Sequence, residues 1–219
     1  DDCQRVKHHR LKKQGDLCTE VESSINGKYY IDIVGKLPGS RGYQYILIVV
    51  DAATRFVRFF PLRMLNSRAI CNILYSLLCD VGFVSEISCD NASYFKSSVF
   101  KTFCYSMGIR LITISPYAAW SNLSERYIAC LKQGLRAYCA ENNTKWSTFL
   151  KELQFSLNSS DHESLGDCPA SLYFKRDLMD PLDIAWRINH EDTLDKCPAE
   201  RWNIALKAMQ KAWEGRQAK

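Results

Sequence analysis

Tyr29-Tyr30-Ile31-Asp32-Ile33-Val34-Gly35 sets a carboxylate in the middle of β-branched and aromatic residues. Such neighbours favour a strand interior, where a charged side chain loses its hydration and needs a reason to be there. Outward from this strand the pattern repeats. A strand over 43–51 holds the unbroken apolar run Tyr45-Ile46-Leu47-Ile48-Val49-Val50, and a third follows over 55–62. The breaks between them, Pro38-Gly39-Ser40 and Ala52-Ala53-Thr54, are short enough to make the three antiparallel neighbours. Ile70, Ile73, Leu74, Leu77 and Leu78 recur at helical spacing over 67–81, and Gly82 is placed to stop that helix.

From there strands and helices alternate. A strand ends at Asp90, a helix over 96–107 stops at Gly108, and a strand covers 109–114. A long helix is expected over 122–140. Another covers 146–158, with Trp146, Phe149, Leu150, Leu153 and Leu157 on one face. A last helix over 200–214 follows a looser stretch containing Pro181 and Pro198, and is expected outside the core. Three antiparallel strands followed by alternating helices and strands describe an α/β domain, a mixed five-stranded sheet flanked by helices.

Composition agrees with an ordered globular chain: 47% of the 219 residues are hydrophobic and no low-complexity tract interrupts them. The formal net charge of +5 leans mildly toward an anionic partner. The ten cysteines are scattered without a CxxC pair, which is no disulfide framework and points to a reducing compartment, nucleus or cytoplasm. The longest apolar run falls well short of the roughly 20 residues of a membrane span. The basic segment Arg5 to Lys13 reads equally as a solvated arm or as one that contacts nucleic acid.

Three carboxylates carry the functional reading: Asp32 inside its strand, Asp90 at the end of Ile87-Ser88-Cys89, and Glu125 in the first turns of the long helix. Two strands and one helix can aim them at one point. Hard, anionic oxygen ligands are what Mg²⁺ or Mn²⁺ requires, and two such ions about 4 Å apart serve in-line phosphodiester chemistry. Taken singly the residues are less decisive. Asp90 next to Asn91 also suits a turn, and a glutamate in a first helical turn is favoured by the helix dipole. Asp51 also ends a strand, but Asp51-Ala52-Ala53-Thr54 reads equally well as a turn.

At these residues the chain resembles the catalytic cores of retroviral and long-terminal-repeat retrotransposon integrases, most closely the gypsy type. The resemblance rests on several blocks: Asp32-Ile33-Val34-Gly35-Lys36-Leu37-Pro38; the strands Tyr45 to Asp51 and Arg55 to Pro61; Asp90-Asn91-Ala92-Ser93-Tyr94-Phe95; and Ser121-Asn122-Leu123-Ser124-Glu125-Arg126, with Leu131-Lys132 further along. It implies a ribonuclease-H-like fold with Asp32, Asp90 and Glu125 as catalytic metal ligands that hold two Mg²⁺ or Mn²⁺ ions. The implied activity is metal-dependent 3′-end processing and strand transfer of element DNA into target DNA, by a homo-oligomer. It extends over roughly residues 1 to 185 and divides the chain into 1–20, the remnant of an amino-terminal zinc module with its linker; 21–178, the core; and 179–219, a linker and helix. Cys3 is the one zinc ligand of that module expected here, since His8 and His9 lie on its wrong side, so no zinc is expected.

Two departures stand out. Asp90 and Glu125 are one residue closer than is usual in the family, for want of a glycine after Asn122. Tyr117-Ala118-Ala119-Trp120 replaces a more polar loop.

Lys132 and Arg136 share a helical face with Glu125 and can reach phosphates, although a solvated face explains them equally well; the resemblance supports Lys132. Arg126 belongs to the matched block and is expected beside DNA. Asn122 suits a helix cap or a substrate contact, and Tyr117 suits packing or a DNA contact. Two competing readings remain. One is a domesticated integrase-like protein that binds DNA or protein without catalysis. The other is a ribonuclease of related fold, for which residues 66–80 offer only Asp80 as a fourth carboxylate. The apolar helices near 146–158 could supply a dimer face.

Overall fold

In the computed structural model the described residues are 24–114, 123–139, 145–186 and 197–217. Three strands open the fold: β1 (Lys28–Val34), β2 (Tyr45–Asp51) and β3 (Val57–Leu62). Helix α1 (Ser67–Val81) and strand β4 (Glu86–Cys89) follow, then α2 (Ser93–Lys96), α3 (Ser98–Ser106) and β5 (Arg110–Thr113). Helices α4 (Leu123–Tyr138), α5 (Leu150–Ser159), α6 (Pro169–Phe174), α7 (Pro181–Trp186) and α8 (Pro198–Gln217) complete it, with a 3-10 turn at Trp146–Thr148 leading into α5.

The strands form one mixed sheet in the order β3-β2-β1-β4-β5. β1 pairs antiparallel with β2, and β2 with β3, while β1–β4 and β4–β5 are parallel. β2 lies inside the sheet with helices over both faces, and this explains its unbroken apolar run. Leu47 and Val49 pack with Ile70, Leu74 and Leu78 of α1 and Phe100 of α3. Ile46, Ile48 and Val50 pack on the other side with Tyr127, Leu131 and Leu135 of α4 and Leu150 and Leu153 of α5. The two-residue period of the strand divides the core into these two layers.

Local signals set several element ends. The Asn66 side chain accepts the Ala69 N–H at the start of α1, and Gly82, at φ 96°, closes it with its N–H on the Leu78 carbonyl. Gly35 leaves β1 at φ 151°, where an added Cβ would sit 2.4 Å from Tyr45 Cδ1, so glycine is required.

The structure departs from expectation in four places. The helix expected over 96–107 is α3, which starts at Ser98 because Ser97 sits in extended backbone and its side chain accepts the Phe100 N–H, and the unexpected short α2 precedes it. β3 begins at Val57 and not at 55, since Arg55 takes φ 64° in the preceding turn. The looser stretch before the last helix contains α6 and α7. The stripe over 146–157 faces inward: Trp146, Leu150 and Leu153 are buried in the α4-side core, with Phe149 and Leu157 packed against it. It is therefore not available as a dimer face.

Helix α8 builds a small cluster of its own, Ala205 and Met209 against Leu165 and Leu172. Arg201 fastens it through bonds to Asp167 (2.8 and 2.6 Å) and Asp177 (3.0 Å).

Candidate active site

Tyr30 and Val34 of β1 pack in the α4-side layer, so strand alternation puts Asp32 on that same face. The parallel register pairs Tyr30 with Ser88. Carried two residues further, it brings Asp32 level with Asp90, just past the end of β4. Both aspartates are half-buried. The Asp32 carboxylate accepts the Ile33 N–H at 2.7 Å, and Asp90 accepts the Ala92 N–H at 3.0 Å. Each therefore has one oxygen oriented by the backbone.

Neighbouring groups register both charges. Burial, then the charges of Asp90 and Asp32, push the Tyr94 phenol up to about 12. The Cys89 thiol is likewise pushed up to about 12, by burial first and then by Asp90, with Asp32 a lesser cause. Cys89 packs into the α1-side layer, so the donors on the Asp32 face are carboxylate oxygens, which suit a hard divalent cation. Two adjacent carboxylates also repel each other when no cation lies between them.

The turn after Asp90 is held on three sides. Ser67 Oγ, in the first turn of α1, donates to the Tyr94 carbonyl at 2.8 Å, and Ser97 Oγ donates to Ser67 Oγ at 2.7 Å. Asn91 Nδ2 donates to the Ile114 carbonyl at 3.2 Å, tying the turn to the end of β5. Sequence reasoning passed over Tyr94 and Asn91 as positioning groups, although both lie inside the block that begins at Asp90. Their partners are 23 residues or more away, beyond any local pattern.

The other expected site residues divide as follows. Glu125 lies in the first turn of α4, the helix over the face that carries Asp32; its side chain is outside the described set. Lys132 and Arg136 are exposed further along α4. Arg126 is exposed and 3.9 Å from Glu163. Asn122 and Tyr117 lie outside the described residues, as do Cys3, His8 and His9. Among the described residues no group of three or more His, Cys, Asp or Glu is arranged to hold a metal.

Asp51 serves structure. It is fully buried and accepts from Asn26 N (2.9 Å), Thr54 N (2.8 Å) and Thr54 Oγ1 (2.7 Å), knitting the β2–β3 turn to the start of β1. Asp80 is remote. The start of α1 meets Tyr94, and 13 residues at about 1.5 Å each put Asp80 some 20 Å away, so it does not supply the fourth carboxylate of a ribonuclease site.

Residues 22–119 match the family described as integrase core domain. The chain is 30% identical over 178 residues to the Pro-Pol polyprotein of Simian foamy virus type 3 (strain LK3), covering 81% of this chain and 15% of that protein. The chain therefore spans about 15% of the length of that relative. Among solved structures, the simian T-cell lymphotropic virus intasome in complex with PP2A regulatory subunit B56 gamma superposes with a TM-score of 0.62 at 22% identity, over 74% of this chain and 59% of that one. The HTLV-2 integrase catalytic core domain in complex with magnesium, in its dimeric form, gives 0.54 at 18% identity, over 68% of this chain and 95% of that one. These likenesses identify the fold as ribonuclease-H-like.

Proposed function

The chain carries an integrase core domain of the retroviral and long-terminal-repeat retrotransposon kind, and from that premise we propose that it is a polynucleotidyl transferase. It trims the 3′ ends of element DNA and joins them to target DNA. The observation that carries this reading is the placement of Asp32 in β1 level with Asp90 just past the end of the adjacent parallel strand β4, on the face covered by the helix that contains Glu125.

Asp32 and Asp90, with Glu125, would hold Mg²⁺ or Mn²⁺. Such ions, when bound, supply positive charge where the attacking and leaving oxygens of a phosphodiester develop theirs. The chain's own contribution is positioning. The Ile33 and Ala92 amides orient one oxygen of each aspartate, and Ser67, Ser97 and Asn91 keep the turn after Asp90 from moving away. Lys132 and Arg136, exposed along α4, bind phosphates on either side of the reacting one. In end processing a water oxygen attacks phosphorus, and in joining the new 3′-hydroxyl does so. One P–O bond forms as another breaks, the leaving 3′-oxygen takes up a proton, and no covalent enzyme intermediate is needed.

The HTLV-2 core is described in dimeric and trimeric forms, and the simian viral protein as an intasome. By analogy the present chain acts as a homo-oligomer on DNA, in the nucleus or cytoplasm. Among the described residues no helix is long and apolar enough to cross a membrane.

The test is strand transfer on a branched DNA substrate with Mg²⁺ or Mn²⁺, run for the parent and for Asp90→Asn. Metal-dependent product from the parent, reduced to background in the variant, is expected. Product formation that needs no metal, or that survives Asp90→Asn, contradicts the proposal.

A further inference from the structure

Residues 33–79 hold six cations, Lys36, Arg41, Arg55, Arg58, Arg63 and Arg68, against one anion, Asp51. That imbalance of five equals the net charge of the whole chain. Asp51 is buried in its turn, and Arg58 is buried against the rings of Phe56 and Tyr173, which stack on one another. Lys36, Arg41, Arg63 and Arg68 are exposed, and none of them is ion-paired with a described carboxylate.

Three of these cations are gathered by one hairpin. Beyond β1 and β2 the chain continues as a narrow ribbon: Leu37 N–H donates to the Gln44 carbonyl at 2.8 Å, and Ser40 and Tyr43 exchange both backbone bonds at 2.9 Å. Arg41 (φ 51°) and Gly42 (φ 84°) form the two-residue tip, the geometry of a type I′ turn. Gln44 N–H donates to the Leu62 carbonyl at 3.0 Å. This sets Arg63 alongside the tip, with its guanidinium over the Tyr43 ring at 5.3 Å. The ribbon is also pinned from the side. Trp146 Nε1 donates to the Pro38 carbonyl at 2.6 Å, and the fully buried Ser40 Oγ accepts the Ser147 N–H at 3.1 Å.

Arg68 adds to this charge in the first turn of α1, where no acidic residue offsets the positive end of the helix dipole. Arg63, stacked on the Tyr43 ring beside the hairpin tip, has lost part of the side-chain entropy that binding an anion would otherwise remove.

We propose that Lys36, Arg41 and Arg63 form a ridge that grips the sugar–phosphate backbone of duplex DNA away from the reacting phosphodiester. This rests on the integrase reading. Ile48 lies opposite Asp32, and five residues of extended chain from there to Tyr43 cover about 17 Å. At about 3.4 Å per base pair that is some five base pairs along the duplex. The contacts are to phosphates, so the ridge holds the register of the DNA without reading its sequence.

The test is binding of the full chain to a blunt duplex of random sequence, two to three helical turns long, by fluorescence anisotropy in EDTA across a salt series. The parent is compared with Arg41→Gln/Arg63→Gln and with Lys101→Gln/Lys207→Gln, which removes two exposed charges from α3 and α8. The ridge variant is expected to bind more weakly, with the slope of log affinity against log salt shallower by about 2; the second variant keeps the parent's slope. Unchanged binding by the ridge variant, an equal loss in the second variant, or no duplex binding by the parent overturns the proposal. Because no chemistry occurs in EDTA, an inactive enzyme that still shows the ridge effect counts against the catalytic reading alone.

Discussion

The Asn158 side-chain amide stands in for a sixth strand at Val57. Its Oδ1 accepts the Val57 N–H at 2.8 Å, and its Nδ2 donates to the Val57 carbonyl at 2.8 Å, with the asparagine fully buried. Gln154, one turn earlier in α5, accepts the Phe59 N–H at 3.0 Å. The open edge of β3 is thereby closed by a helix, and an unpaired edge is where sheets recruit other chains. Asn158→Ala strips two buried backbone groups of their partners, and the expected loss is about 2–4 kcal/mol. Urea denaturation reads it directly; an unchanged midpoint would contradict this role.

Stability should fall in alkali. Burial pushes Tyr94 up to about 12 and raises Tyr29 and Tyr127 from the same ordinary value of 10.0. Above pH 10 the unfolded chain sheds phenolic protons that the folded chain keeps, so the unfolded state binds fewer protons and stability declines as pH rises. For Tyr94 this contribution is complete below 10 and is lost between 10 and about 12. Each such tyrosine can steepen the decline by about 1.4 kcal/mol per pH unit. Urea midpoints at pH 8 and near pH 11 should differ accordingly, with a smaller difference in Tyr94→Phe. Equal midpoints would refute it.

Arg201 holds α8 by its fork on Asp167 and its single bond to Asp177. Arg201→Leu leaves two carboxylates facing each other across the vacated position, at an expected cost of about 2–3 kcal/mol to the docking of α8. Hydrogen exchange should show α8 amides opening while those of β2 remain protected. Protection of α8 equal to the parent's would contradict this.

How much of this was legible in the sequence depended on the range of the interactions involved. The strand around Asp32, the apolar run of β2 and the succession of three antiparallel strands followed by alternating helices and strands follow from apolar pattern and turn residues. Helices α6 and α7 have six residues each, too few for a helical period to show. Asp51 and Asp32 are both carboxylates in apolar strands, and the turn-like Ala52-Ala53-Thr54 after Asp51 is the one local difference. Tertiary structure separates them, since one donor to Asp51 is the Asn26 amide, 25 residues away. The inward stripe at Trp146 looked like a free face because the ribbon it meets at Pro38 lies 108 residues earlier.

The central claim is that Asp32 and Asp90 form one cation site, and Mn²⁺ titration by calorimetry tests it most directly. We expect the parent to bind, Asp32→Asn and Asp90→Asn each to weaken binding at least tenfold, about 1.4 kcal/mol, and Asp51→Asn to bind as the parent does. Undiminished binding in either of the first two variants, or an equal loss in Asp51→Asn, would contradict the account.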